Sequence, residues 1–107
     1  MTSAPKQTEQ ELAPFEIILA AGDARSRAFD ALAHAKQGDF EGADQLMDES
    51  RAAALKAHEM QTSLLARAAG GEPVEVDVML VHAQDHLMCG MLASELITEL
   101  IELYRTR

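Results

Sequence analysis

Val81-His82-Ala83-Gln84-Asp85-His86-Leu87-Met88 sets three ionisable side chains inside an apolar segment that runs almost to the C-terminus. Positions three and four apart share a helix face, so on a helix His82, Asp85 and His86 project together, with Cys89 one turn further along. The same strip continues through Ala93, Leu96, Leu100 and Leu103, so the polar cluster occupies one end of a hydrophobic seam. Burying imperfectly paired polar groups there costs on the order of several kcal/mol, which points to a use. The segment is read as a helix established by Val78 and continuing to about Tyr104. It carries two apolar stripes: Val76, Leu80, Ala83, Leu87, Ile97, Ile101 and Tyr104 form one, and Met88, Leu92, Leu96, Leu100 and Leu103 form the other. Two partner helices of one chain cover a single broad face, so the second stripe implies self-association.

Upstream, Val74-Glu75-Val76-Asp77-Val78 alternates as a strand would, but no other stretch offers it a partner, so it is read as a loop. Ala68-Ala69-Gly70-Gly71-Glu72-Pro73 is a clear break signal before it. A second helix is expected from Phe40 to about Ala68, with Phe40, Ala43, Met47, Ser50, Ala54, Ala57, Gln61 and Leu64 along one stripe of mostly small residues. Gly38 suits the left-handed position past a first helix ending near Lys36, and Asp39 suits the N-cap of the second, so the two helices should be antiparallel across a tight turn. In the first helix Phe15, Ile18, Gly22, Phe29 and Leu32 recur at heptad-like spacing. Order is expected from about Thr8, with a distortion at Pro14 and a loose segment over residues 1–8.

The 107 residues make one domain's worth of chain, residues 1–107, with a helix-favouring composition and no Trp. Nine Lys and Arg against 18 Asp and Glu leave a net charge of −9, which opposes nucleic acid and anionic membrane surfaces and favours basic partners. One cysteine excludes an intramolecular disulfide, and neither a signal-peptide pattern nor a bilayer-length apolar run occurs, so a cytoplasmic location without membrane insertion is expected.

Several readings of the cluster stand side by side. His82 and His86 at i, i+4 can chelate a metal with Asp85 as a third ligand, although Ala83 stands where zinc hydrolases carry glutamate. Alternatively they are histidines satisfied at an interface. A neutral imidazole can also act as a nucleophile towards phosphorus, with Gln84 donating to phosphoryl oxygens; Asp85 would then repel the phosphoryl group unless a cation neutralised it or it turned away. Cys89 reads as a small buried residue, His58 as a polar core or interface residue, His34 as surface, and Arg25 and Arg27 as solvated or salt-bridged side chains able to reach a phosphate.

Gly22-Asp23-Ala24-Arg25-Ser26, Ala35-Lys36-Gln37-Gly38-Asp39-Phe40, Ala57-His58 with Gln61-Thr62, the His82 motif and the closing Glu95 to Tyr104 stretch together resemble the enzyme IIA component of the lactose/cellobiose (diacetylchitobiose) class of the phosphoenolpyruvate-dependent sugar phosphotransferase system. The resemblance runs from about Ile17 to Tyr104. It implies an all-α, antiparallel three-helix protomer that assembles as a coiled-coil trimer. It further implies that His82 accepts a phosphoryl group on Nε2 from the phosphocarrier HPr and passes it to a cysteine of enzyme IIB, with Gln84 and His86 supporting the site. Asp85 from three subunits would hold a divalent cation, magnesium, on the threefold axis. Cys89-Gly90 departs from the hydroxyl-bearing residues familiar in relatives. The competing expectation is a non-catalytic oligomeric bundle whose His/Asp cluster is a structural metal or polar site.

Overall fold

The computed structural model describes the backbone of residues 4–107 and the side chains of residues 12–107. Three helices follow one another: α1 (Ala4–Lys36), α2 (Phe40–Ala69) and α3 (Val78–Arg105), with no strand among the described residues. They form a rod with principal extents of 58 × 22 × 21 Å. The segment Val74 to Asp77 is irregular, as its lack of a partner strand requires.

Local chemistry sets the breaks. After α1, Gly38 adopts φ +82°, while its N–H donates to Ala35 O at 3.0 Å and the Asp39 N–H to His34 O at 2.9 Å. This pair of bonds is a Schellman turn, for which glycine pays no steric penalty. Asp39 then caps α2, its Oδ1 accepting from the Gly42 N–H at 3.0 Å. Gly71 repeats the turn at the end of α2 with φ +85°, and Asp77 Oδ1 caps α3 by accepting from the Leu80 N–H at 2.9 Å.

The first helix differs from expectation in two ways. It begins at Ala4, ahead of Thr8, with Pro5 in the first turn where its missing N–H is harmless, and it continues through a buried Pro14. The looseness expected of residues 1–8 falls outside the residues described with side chains. Secondly, the inward face is not the Phe15–Phe29 stripe but Ile17, Ala20, Ala21, Ala24, Ala28, Ala31 and Ala35. The reason is position: α1 lies between α2 and α3, which scarcely touch each other. A helix flanked on two sides needs small residues where it meets both neighbours, so Phe15 and Phe29 stand half-exposed at the margin.

That close approach recurs throughout the core. Ser50, fully buried on α2, donates its hydroxyl to Ala24 O at 2.6 Å, and a Cβ on Gly90 of α3 would lie only 3.7 Å from Ala21 O. Ile17, Ala21, Ala57, Leu64, Ala83 and Leu87 fill one end of the rod, and Ala28, Ala31, Met47, Ile97 and Ile101 the other. The expected α2 stripe is the buried or half-buried one. On α3 the inner stripe is also as expected, except that Val76 lies in the exposed loop.

The other stripe of α3 is bare. Val78, Val81, Met88, Leu92, Leu96, Leu100 and Leu103 are each at least 40% exposed, and by helical register Asp85 stands in the middle of the strip's first half.

Candidate functional site

The cluster occupies the first half of α3, where the exposed strip meets the groove beside α1. His82 and Asp85 are exposed, and His86 and Gln84 are half-buried. The i, i+4 spacing brings the two imidazoles together: His86 Nε2 lies 3.1 Å from His82 Nε2, with the rings edge to face and their centroids 4.4 Å apart. One nitrogen of that pair donates and the other accepts. With His82 as acceptor, its Nε2 lone pair takes the hydrogen bond from His86 and its Nδ1 carries the proton.

Asp85 sits one turn before Cys89, whose thiol points to Asp85 Oδ1 at 3.6 Å. Cys89 is exposed rather than buried, because its register places it on the bare strip and not on the face towards α1. His58 is likewise exposed in the protomer, which leaves the interface position and not the core one of the two expected for it.

Gln84 borders the same depression as His82. It lies on the opposite edge of the strip, towards α2, where its side-chain amide donates to Gln61 Oε1. The sequence put Gln61 on the inner stripe of α2, but the pairing of the two amides depends on how α2 and α3 are set against α1. A shallow depression joins Val78, Val81, His82, Gln84, Asp85 and Met88.

Two arginines of α1 differ in their surroundings. Arg27 is salt-bridged, its Nε donating to Asp23 at 3.0 Å and its Nη1 to Glu49 at 2.6 Å. Those carboxylates, Asp23 above all, raise its already high pKa. Arg25 instead lies 5.6 Å from the centre of the Phe29 ring and lines a recess with Gly22, Ser26, Phe29, Asp30 and His86.

Within a single chain, no three of the described His, Cys, Asp and Glu side chains converge as metal ligands. The chelate of His82, His86 and Asp85 is therefore not formed: the histidines face each other, and Asp85 turns to the strip. Among the described residues no helix is long and apolar enough to cross a membrane.

Residues 12–105 match the family model described as the lactose/cellobiose-specific IIA subunit of the phosphotransferase system. The chain is 56% identical over 88 residues to the N,N'-diacetylchitobiose-specific EIIA component of Escherichia coli K12, covering 82% of this chain and 76% of that protein. It is 44% identical over 97 residues to the lactose-specific EIIA component of Staphylococcus epidermidis, covering 91% and 93%. Its fold superposes on the cellobiose-specific enzyme IIA of Bacillus anthracis with a TM-score of 0.89 at 45% identity, over 91% of this chain and 89% of that one. It superposes also on a chain from solution structures of the Escherichia coli IIA(chitobiose)–HPr complex, with a TM-score of 0.80 at 51% identity, over 92% and 95%. An apolar-faced three-helix rod with a paired-histidine motif on its third helix, matched along nearly its whole length by such relatives, belongs to the lactose/cellobiose-specific IIA subunit family of the sugar phosphotransferase system.

Proposed function

We propose that the chain is a cytoplasmic phosphocarrier that takes a phosphoryl group from phospho-HPr onto His82 Nε2 and delivers it to a cysteine of enzyme IIB, serving uptake of a β-linked disaccharide. The observation that carries this reading is the exposed His82 with its Nε2 beside that of His86. The lone pair of His82 Nε2, released from the His86 hydrogen bond, attacks phosphorus in line. A new N–P bond forms as the donor nitrogen departs with its bonding pair, and no oxidant or reductant is needed. His86 Nε2–H holds His82 in the productive tautomer and, once that nitrogen is occupied, turns its donation to a phosphoryl oxygen. Delivery reverses the sequence, with the thiolate of enzyme IIB as the attacking group.

The bare strip of α3 supports a homotrimer in which three copies pack these faces around an axis. Such packing brings three Asp85 carboxylates together, an all-oxygen donor set suited to magnesium. A cation bound there would neutralise charge that otherwise repels the incoming phosphoryl group. Because the contacts in a cyclic trimer are head-to-tail, the His82 edge of one protomer meets the Gln84 edge of the next, and Gln84 serves the site from the neighbouring copy. The acidic surface suits a basic donor and speeds encounter without demanding tight binding.

The test is intact-protein mass spectrometry of the wild type and His82→Ala after incubation with phosphoenolpyruvate, enzyme I and HPr. One acid-labile phosphoryl group per wild-type chain, absent from the variant, is expected. No adduct on a folded wild type would return the protein to the non-catalytic bundle.

A further inference from the structure

We infer that Arg25, on α1, binds the phosphoryl group carried by His82, entering the site from the recess that Arg25 shares with His86. This inference rests on the phosphocarrier reading.

Three observations converge on it. First, Arg25 is kept free. Arg27, Arg51, Arg67 and Arg105 are each engaged by a carboxylate, whereas the Arg25 guanidinium, like that of Arg107 over Tyr104 far from the cluster, makes no ion pair among the described residues, even in a chain of net charge −9. An unpaired guanidinium amid so many acids is a place for an anion that is not always present. Secondly, it is oriented. Phe29, one turn later, lies 5.6 Å from the guanidinium carbon and offers it an aromatic face, which steadies the planar fork without consuming its N–H donors. Thirdly, it is adjacent. His86 lines the same recess, and His86 Nε2 is 3.1 Å from the nitrogen that receives phosphorus.

The rest of the recess fits. Gly22 presents no side chain, leaving a path along α1 that a larger residue would narrow, and Ser26 adds a hydroxyl. Asp30 also borders it without pairing with Arg25, and its charge disfavours a permanently held anion, as a relay requires. A phosphoryl group on His82 has three non-bridging oxygens. His86 serves one, and the guanidinium fork reaches two at once. Charge on those oxygens persists through transfer in both directions, so the contact stabilises the loaded state and the transition state alike.

The experiment is single-turnover transfer from phospho-HPr to the wild type, Arg25→Ala and Arg25→Lys, with the 31P chemical shift of each loaded protein recorded alongside. Arg25→Ala should load at least roughly tenfold more slowly, by the scale of losing one preorganised donor. Arg25→Lys, which keeps the charge but not the fork, should fall between, and the phosphohistidine resonance should move in both variants. Binding of unphosphorylated HPr should be unchanged or tighter, because removing a positive charge does not weaken attraction to a basic partner; a purely structural role would alter helicity or docking instead. Wild-type loading with an Arg25→Ala rate within twofold and an unmoved resonance overturns the role of Arg25 and leaves the phosphocarrier intact. A wild type that never loads overturns both.

Discussion

His86 Nε2 stands 3.1 Å from His82 Nε2, ring edge against ring face, at the border between the bare strip of α3 and the groove of α1. In the proposed relay, removing His86 takes away the group that selects the His82 tautomer but not the nucleophile. His86→Ala should therefore still acquire a phosphoryl group, at a rate lower by roughly a hundredfold or less. Quenched-flow loading from phospho-HPr measures this, and a variant that never loads would mean that His86 itself carries the phosphoryl group.

Gln84 and Gln61 tie α3 to α2 across an otherwise sparse contact. Each is half-buried, so replacing either with Ala forfeits the bond and leaves its partner's amide poorly solvated, a loss of about 1 kcal/mol. The double variant should be less destabilised than the sum of the singles. Urea denaturation of the four proteins gives the coupling energy, and strict additivity would show that the two amides do not depend on one another.

The α1–α2 turn makes a pH-dependent contribution. Asp39 Oδ2 lies 2.8 Å from His34 Nδ1, and this bond, followed by the Gly42 N–H, holds the Asp39 carboxyl below its ordinary value. A depressed folded-state pKa gives stability that is full above the unfolded aspartate pKa, about 4, and is lost as pH falls through the lower folded value. Wild type should lose more stability than Asp39→Asn over that acid window, as chemical denaturation at stepped pH will report.

Gly42→Ala tests the same turn sterically. The new Cβ would collide with Asp39 Oδ2 and lie 3.0 Å from His34 Nδ1. Helix propensity alone favours alanine by about 1 kcal/mol. The melting temperature should nevertheless fall, because the cap has to move to admit the methyl group; a rise would show that Asp39 yields easily.

Two substitutions on the bare strip probe the trimer. Leu96→Asp brings three new carboxylates to the proposed axis and should yield monomers in light scattering, while an unchanged mass would place the interface elsewhere. Asp85→Leu should keep the assembly and leave it at least as stable, since apolar replacement of crowded buried charges is often neutral or stabilising.

Much of this molecule is legible in local sequence. Gly38 with Asp39, the Gly70-Gly71 break and the 3.6-residue periodicity of α2 and α3 place helices and turns within one or two residues, because caps and left-handed glycines act over a single turn. His82 and His86 could be paired on paper since i, i+4 geometry belongs to the helix itself. Of the two arginines able to reach a phosphate, only the fold separates the free Arg25 from the paired Arg27, and Cys89 is exposed in the protomer because burial depends on where neighbouring helices end up.

The sequence by itself determined three helices, their breaks and the pairing of His82 with His86, all consequences of spacing along one chain. Only the tertiary structure decided which face of α1 turns inward, that Gln84 pairs with Gln61, and that Arg25 opens onto the recess of His86. The physical reason is that α1 lies between two helices, and the space left there admits alanine and excludes phenylalanine, which rotates every other side chain to its place.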